Sequence, residues 1–278
     1  MKLISTILEF RHEINRRERQ LGLVPTMGSL HEGHMALVRR ACIETTTVAV
    51  SIFVNPTQFG PHEDLAAYPH EIDSDLIKLE SAGVELVFTP STEEMYPTGF
   101  NTHVDVGHIA QRQEGKSRVE HFRGVATVVC KLLAIVRPDK AYFGQKDAQQ
   151  LAVVRRLNTD LNLGAEIVVV PTIRENNGLA LSSRNAYLSQ EERDAATILY
   201  RSLCLAQDLR EQGSLDATEI KQQMCDLINE EPLAKIDYVS IADSTTLEEL
   251  DTISGSVLVS LAVRIGKARL IDNITLGE

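Results

Sequence analysis

Three things are missing from these 278 residues, and each absence narrows the field. There is no excess of positive charge: 28 Lys and Arg stand against 39 Asp and Glu, for a net charge of −11. That balance argues against a general binder of nucleic acid or of membrane surfaces. There is no cysteine pairing pattern: Cys42, Cys130, Cys204 and Cys225 are scattered, without a Cys-x-x-Cys. They read as reduced, mostly buried thiols of a cytoplasmic protein, not as a disulfide framework or a zinc site. There is no long apolar run: the patch from Leu3 to Leu8 is broken by Ser5 and Thr6 and followed by Glu9 and Arg11. Neither a signal peptide nor a membrane span fits that. What remains is 43% hydrophobic and 24% charged, ordinary for a globular protein with one large domain, or a large and a small one. An anionic ligand would need a locally positive pocket here.

The most informative stretch is Pro25-Thr26-Met27-Gly28-Ser29-Leu30-His31-Glu32-Gly33-His34-Met35-Ala36-Leu37-Val38. An apolar entry, Leu21 to Val24, precedes it; Met35, Leu37, Val38 and Ala41 follow at helical spacing. It reads as strand, tight glycine turn, helix. Gly28 and Gly33 allow close backbone approach to a ligand, and a helix beginning near Glu32 offers unpaired N–H groups and a positive dipole end. His31 and His34, three apart, share a face of the first turn. Two imidazoles beside a helix N-terminus suit a polyphosphate. A zinc-protease helix wants His-Glu-x-x-His; here the spacing is one residue short, with glycine inside. The plain alternative is one capping histidine and one solvated one.

The rest of the chain alternates. Residues 3–20 read as an amphipathic helix, and Val48 to Val54 is an apolar run of the kind buried on both faces of a parallel strand. Residues 73–82 have helical spacing, and 84–88 form the next strand. Residues 90–121 are irregular, 126–136 an apolar helix, 141–143 and 165–172 further strands. This alternation predicts an α/β fold: a Rossmann-like parallel sheet with helices on both faces and its site at the carboxyl ends of the strands. From Ser189 the texture changes. Two helices, near 190–212 and 216–230, lead to β-rich runs at 236–241, 257–263 and 269–275, with Gly266 at a turn. The expected organisation is a main domain (1–175), a hinge loop (176–188) and a small C-terminal α+β domain (189–278).

Four more stretches carry polar residues suited to ligands. Asn55-Pro56-Thr57-Gln58-Phe59 offers carboxamides that bond a hydroxyl or carboxylate, or tie their own loop. Ser117-Arg118-Val119-Glu120-His121-Phe122-Arg123-Gly124-Val125 offers Arg118 and His121 as carboxylate partners, or as a helix cap and a surface pair. In Gly144-Gln145-Lys146-Asp147-Ala148-Gln149-Gln150, Lys146 can meet phosphate, Asp147 can take ribose hydroxyls, and Gln150 lies one turn on. Finally, Asn177-Gly178-Leu179-Ala180-Leu181-Ser182-Ser183-Arg184-Asn185 sets two hydroxyls and a guanidinium in sequence, a phosphate clamp on a loop that can swing.

Together these stretches resemble the pantothenate synthetase (pantoate–β-alanine ligase) family of the HxGH nucleotidyltransferases. The resemblance runs over essentially the whole chain, down to Gly-Lys-Ala-Arg-Leu-Ile-Asp-Asn at 266–273. Tyr68-Pro69 and the acidic Asp73 and Asp75 also match. Thr57 stands where methionine is common, Val119 for proline, Gln145 for glutamate and Asn177 for aspartate. The resemblance implies a cytoplasmic enzyme, a homodimer, using ATP and Mg2+ to join pantoate to β-alanine through a pantoyl adenylate. It assigns catalysis to His31, His34, Lys146 and Arg184. It puts Met27, Gly28, Ser29, Leu30, Glu32, Gly33, Gly144, Gln145, Asp147, Ile173, Leu181, Ser182 and Ser183 along the nucleotide. It gives pantoate to Gln58, Gln150, Met27, Arg118 and His121, and magnesium to Asp75; the small domain becomes a lid. The nearest rival is another nucleotidyltransferase on the same scaffold; a non-catalytic nucleotide-binding module would not need both Lys146 and Arg184.

Overall fold

A computed structural model describes residues 1–17, 20–60, 65 and 71–277; Tyr68 and Pro69 lie outside these. The chain divides into two compact units, Met1–Gly144 with Gln149–Pro171, and Gln145–Ala148 with Thr172–Glu278. The second unit thus takes in 145–148, a segment that sequence alone groups with the main domain.

The first unit is built on six strands: β1 (Lys2–Ile4), β2 (Leu21–Thr26), β3 (Thr47–Ile52), β4 (Leu86–Phe88), β5 (Lys140–Gly144) and β6 (Glu166–Val170). All pairings are parallel, in the order β1-β4-β3-β2-β5-β6. Its helices are α1 (Ile7–Ile14), α2 (Glu32–Glu44), α3 (Ile72–Ser81), the single turns α4 (Thr92–Met95) and α5 (Glu114–Ser117), then α6 (His121–Val136) and α7 (Ala148–Asp160). Strand side chains alternate between two cores, as a pleat requires. Leu23, Ala49, Leu86, Ala141 and Phe143 face α1, α6 and α7, while Val24, Val50, Val87 and Tyr142 face α2 and α3. Both faces are therefore covered, which is why β3 is a continuous apolar run. The strand order reverses direction between β2 and β5, the switch point at which such sheets bind ligands beyond the carboxyl ends.

The N-terminus departs from the expected helix over 3–20. Lys2–Ile4 is an edge strand paired to β4, and the helix begins only after Thr6, whose hydroxyl caps it by accepting from the Glu9 N–H. A three-residue strand is too short to show a period of its own; pairing decided it.

In the second unit, α8 (Gln190–Ala195), α9 (Ile198–Glu211) and α10 (Ala217–Asn229) pack on an antiparallel sheet of β7 (Ala234–Asp243), β8 (Val257–Ile265) and β9 (Ala268–Leu276). The helix expected over 190–212 is interrupted at Ala196 and Thr197. Residues 173–181 form a bonded hairpin. Leu181 N–H donates to the Ile173 carbonyl, Glu175 N–H to Leu179, and Gly178 N–H to Glu175. Arg174 anchors it through two bonds to the buried Asp272 carboxylate, 2.6 and 2.9 Å, and lies 4.2 Å over the Tyr200 ring.

Candidate active site

β2 ends at Thr26, and the chain turns through Gly28 (φ +86°) and Ser29 (φ +52°), two successive left-handed residues. A Cβ on Gly28 would sit 3.1 Å from Ile52 and 3.3 Å from Asp75 Oδ2. Asp75 and Lys78, one turn apart on α3, grip the next peptide: Asp75 Oδ1 accepts from Leu30 N–H (2.8 Å), and Lys78 Nζ donates to the Leu30 carbonyl (2.7 Å). Asp75 is 1% exposed, and its Oδ2 has no hydrogen-bond partner among the described residues.

His31 then caps α2. Its Nδ1 accepts from Gly33 N–H (3.1 Å), while His34 Nδ1 accepts from the His31 N–H (3.3 Å), a reciprocal capping box. Each ring spends its Nδ1 lone pair on backbone, so a neutral imidazole carries its proton on Nε2. The ring centroids are 4.1 Å apart. The pair thus joins two Nε2–H donors to the positive end of a 13-residue helix. Gly33 also makes room for this ring, since a Cβ there would lie 2.8 Å from His31 Cε1. Glu32 points to the surface and pairs with Arg39 at 2.7 Å.

After β3, Asn55 caps the turn Pro56–Gln58. Gln58 is buried; its Nε2 lies 2.9 Å from Met27 Sδ, and its Oε1 accepts from Asn55 Nδ2 at 3.1 Å. The first turn of α6 presses on this loop: a Cβ on Gly124 would come within 2.3 Å of the Thr57 carbonyl oxygen. His121 Nδ1 is 2.8 Å from the Gln58 carbonyl, which only accepts, so Nδ1 carries the proton and Nε2 receives Arg118, 3.0 Å away. Both ring nitrogens of His121 are thereby engaged within the protein. Val119, in place of the family's proline, is exposed. Gln150 is half-buried on α7, whereas its neighbour Gln149 is buried and holds the Ile109 and Arg112 carbonyls.

In the second unit, Lys146, Ser182 and Arg184 line one cleft together with Leu179, Arg269 and Asp272. Ser182 Oγ caps the following turn by accepting from Arg184 N–H (3.3 Å), which leaves its proton to donate elsewhere. Lys146 Nζ is 3.9 Å from the exposed Asp147 carboxylate. The 145–147 turn is held by Asn273, whose Nδ2 donates to the Gln145 and Lys146 carbonyls at 3.0 and 2.8 Å. Asn273 Oδ1 then needs a donor, and Gln145 Nε2 supplies it at 3.0 Å. A glutamate at 145 would offer only oxygens there, so the departure at 145 has a local reason. Asn177 likewise uses Oδ1 to accept from Leu179 N–H.

Sequence reasoning read the Asn55 carboxamide as a ligand contact or a tie within its own loop, and gave no individual role to Tyr96, Asp272 or Asn273. Asp272 and Asn273 showed only as members of a longer motif and Tyr96 not at all, because a group that works by holding another residue has no spacing of its own. The four cysteines are half-buried rather than mostly buried, and burial raises the thiol pKa of Cys42, Cys130 and Cys225. Among the described residues no helix is long and apolar enough to cross a membrane, and no three His, Cys, Asp or Glu side chains form a metal-binding group.

The family model described as pantoate-beta-alanine ligase matches residues 2–275. The chain is 55% identical over 276 residues to the pantothenate synthetase of Roseiflexus sp. (strain RS-1), covering 99% of each. Its fold matches the crystal structure of pantothenate synthetase from Thermus thermophilus with a TM-score of 0.95, at 46% identity and over 100% of both chains. It also matches the pantoate-beta-alanine ligase of Francisella tularensis, crystallised with beta-gamma ATP and beta-alanine, with a TM-score of 0.80, 36% identity and 99% and 97% coverage. Matched from end to end in both sequence and fold, the chain belongs to the pantothenate synthetase family, the pantoate–β-alanine ligases.

Proposed function

We propose that this chain makes pantothenate in two steps, with the residues above in specific roles. A carboxylate and an amine do not condense in neutral water, because the carboxylate is a poor electrophile and its oxygen a poor leaving group. In the first step a pantoate carboxylate oxygen attacks the α-phosphorus of ATP; pyrophosphate leaves and pantoyl adenylate forms. In the second, the β-alanine amine, as its uncharged form, attacks the pantoyl carbonyl carbon; the C–N bond forms, AMP leaves, and the amine proton goes to solvent. The complex of the Francisella relative supports ATP and β-alanine as substrates here.

The observation that carries this reading is the imidazole pair. A ring capped through Nδ1 presents Nε2–H, a donor suited to phosphate oxygen at a helix N-terminus. His31 and His34 donate to the phosphates, and His34 also hydrogen-bonds the departing pyrophosphate. Lys146, Ser182, Ser183 and Arg184 add charge and hydroxyl donors for the same chemistry. Met27, Gly28, Gly144, Asp147 and Ile173 line the nucleotide. Gln58 and Gln150 orient pantoate, with Arg118 as the cation for its carboxylate. Magnesium fits Asp75: Oδ2 is a hard oxygen, buried and without a hydrogen-bond partner among the described residues, and Mg2+ typically takes one or two protein carboxylates plus substrate phosphates. Bound there, it would neutralise phosphate charge. Resemblance to the family also supports a homodimer in the cytoplasm.

Incubation with ATP, Mg2+ and pantoate, without β-alanine, should release pyrophosphate and support pantoate-dependent ATP–pyrophosphate exchange. Exchange that needs β-alanine, or proceeds without pantoate, would contradict the two-step order.

A further inference from the structure

The Asn55 carboxamide is unusual in being fixed at both ends by groups whose polarity is not in question. Its Oδ1 accepts from the Thr57 backbone N–H (3.3 Å), which can only donate. Its Nδ2 donates to the Gly124 carbonyl (3.2 Å), which can only accept. The second Nδ2 proton therefore forces Gln58 to answer with Oε1. Gln58 is left with Nε2 turned away from Asn55, 2.9 Å from the Met27 thioether, a weak acceptor. Its amide meets a substrate as a donor.

Two hydroxyls complete the arrangement. Tyr96 Oη donates to Asn55 Oδ1 at 2.8 Å, and Thr57 Oγ1 donates to the same oxygen at 2.9 Å. Tyr96 lies 41 residues away in sequence and closes the irregular segment onto the loop; its ring packs against Phe53 and Phe100. Burial, against a smaller opposing effect of the Thr57 hydroxyl beside it, raises the pKa of the phenol, which keeps it a donor at neutral pH.

We propose that Tyr96 is a positioning residue for pantoate: through Asn55 it holds the Gln58 amide with its N–H group toward the substrate, and Thr57 shares the task in this chain. The proposal rests on the reading of Gln58 as a pantoate contact. Tyr96 touches no substrate itself. It selects for an oxygen acceptor, a hydroxyl or carboxylate, at the place Gln58 reaches.

Steady-state kinetics on single and double variants test this. Tyr96→Phe keeps the ring and loses one hydrogen bond, so KM for pantoate should rise about 5-fold with KM for ATP and Tm unchanged. Thr57→Val should act in the same direction, and Thr57→Ser should restore wild-type behaviour. Gln58→Ala should raise pantoate KM further, and adding Tyr96→Phe to it should change nothing more. Unchanged pantoate KM in Tyr96→Phe, or equal loss of ATP and pantoate, overturns the proposal while leaving Gln58 in place. An additive double variant overturns it too. Unchanged pantoate KM in Gln58→Ala overturns the reading of Gln58 and, with it, the role given to Tyr96.

Discussion

A histidine that caps a helix through Nδ1 is obliged to show its surroundings Nε2–H, and this chain does it twice within four residues. The cap contributes about 1 kcal/mol to the helix; its larger effect is to fix tautomer and ring direction before any anion arrives, which is what preorganised electrostatic stabilisation needs. His34→Ala and Lys146→Ala should each lower turnover by about 100-fold or more while the far-ultraviolet spectrum holds; Tm should hold in Lys146→Ala and fall slightly in His34→Ala, which gives up one capping bond. Near-normal exchange in either variant would remove that residue from the phosphate site. The identities of both residues are legible in sequence because they sit in motifs with spacing. The tautomer is not legible, because it depends on which nitrogen reaches which backbone N–H.

Among the elements, two glycines are held by steric necessity rather than by flexibility. Gly33 lies under the His31 ring, and neither its own φ nor open space explains it. Gly33→Ala should push that ring off its cap, raising KM for ATP and lowering turnover with a loss of about 1 kcal/mol in stability by denaturant titration. Gly124 is the contact point between α6 and the Asn55–Gln58 turn. Gly124→Ala must force the two backbones apart, at a cost of about 1–3 kcal/mol for overpacking, and should lower Tm and weaken pantoate use together. A Tm unchanged from wild type would show that the loop yields. The glycines stand out in the sequence; the surface opposing Gly124 does not, since Thr57 and Gly124 are brought together only by the fold. The same limit explains the N-terminal strand, where three residues take their form from β4.

Across the whole molecule, the buried Tyr142 on β5 bonds Glu44 at 3.2 Å, next to Lys140. Burial, and then the Glu44 charge, raise the pKa of its phenol well above the ordinary tyrosine value of 10.0. A raised acid favours the protonated folded form, so its contribution is complete below about pH 10, where the unfolded tyrosine ionises, and is lost as pH rises beyond it. Tm should fall more steeply above about pH 10 than below it, where the raised thiols of Cys42, Cys130 and Cys225 already cost stability, and Tyr142→Phe should reduce the steeper part. An identical alkaline slope in both proteins would assign the effect elsewhere. With a net charge of −11, an anionic substrate approaches a net negative molecule, so positive groups at its binding site matter more.

Periodicity and glycine placement, carried by the sequence alone, determined the alternating α/β sheet and the small α+β C-terminal region, and the resemblance of its motifs to the family supplied nearly every residue proposed to touch a substrate. Hydrophobic period and glycine placement are local properties, and they survive without coordinates. Tertiary structure decided the edge strand, the break at Ala196, the hairpin tied by Arg174 to Asp272, and the Tyr96–Asn55–Gln58 chain. Apart from the break at Ala196, which is local, each of these depends on a long-range pairing in which one polar group satisfies another, and hydrogen bonds between distant residues leave no period in the chain that makes them.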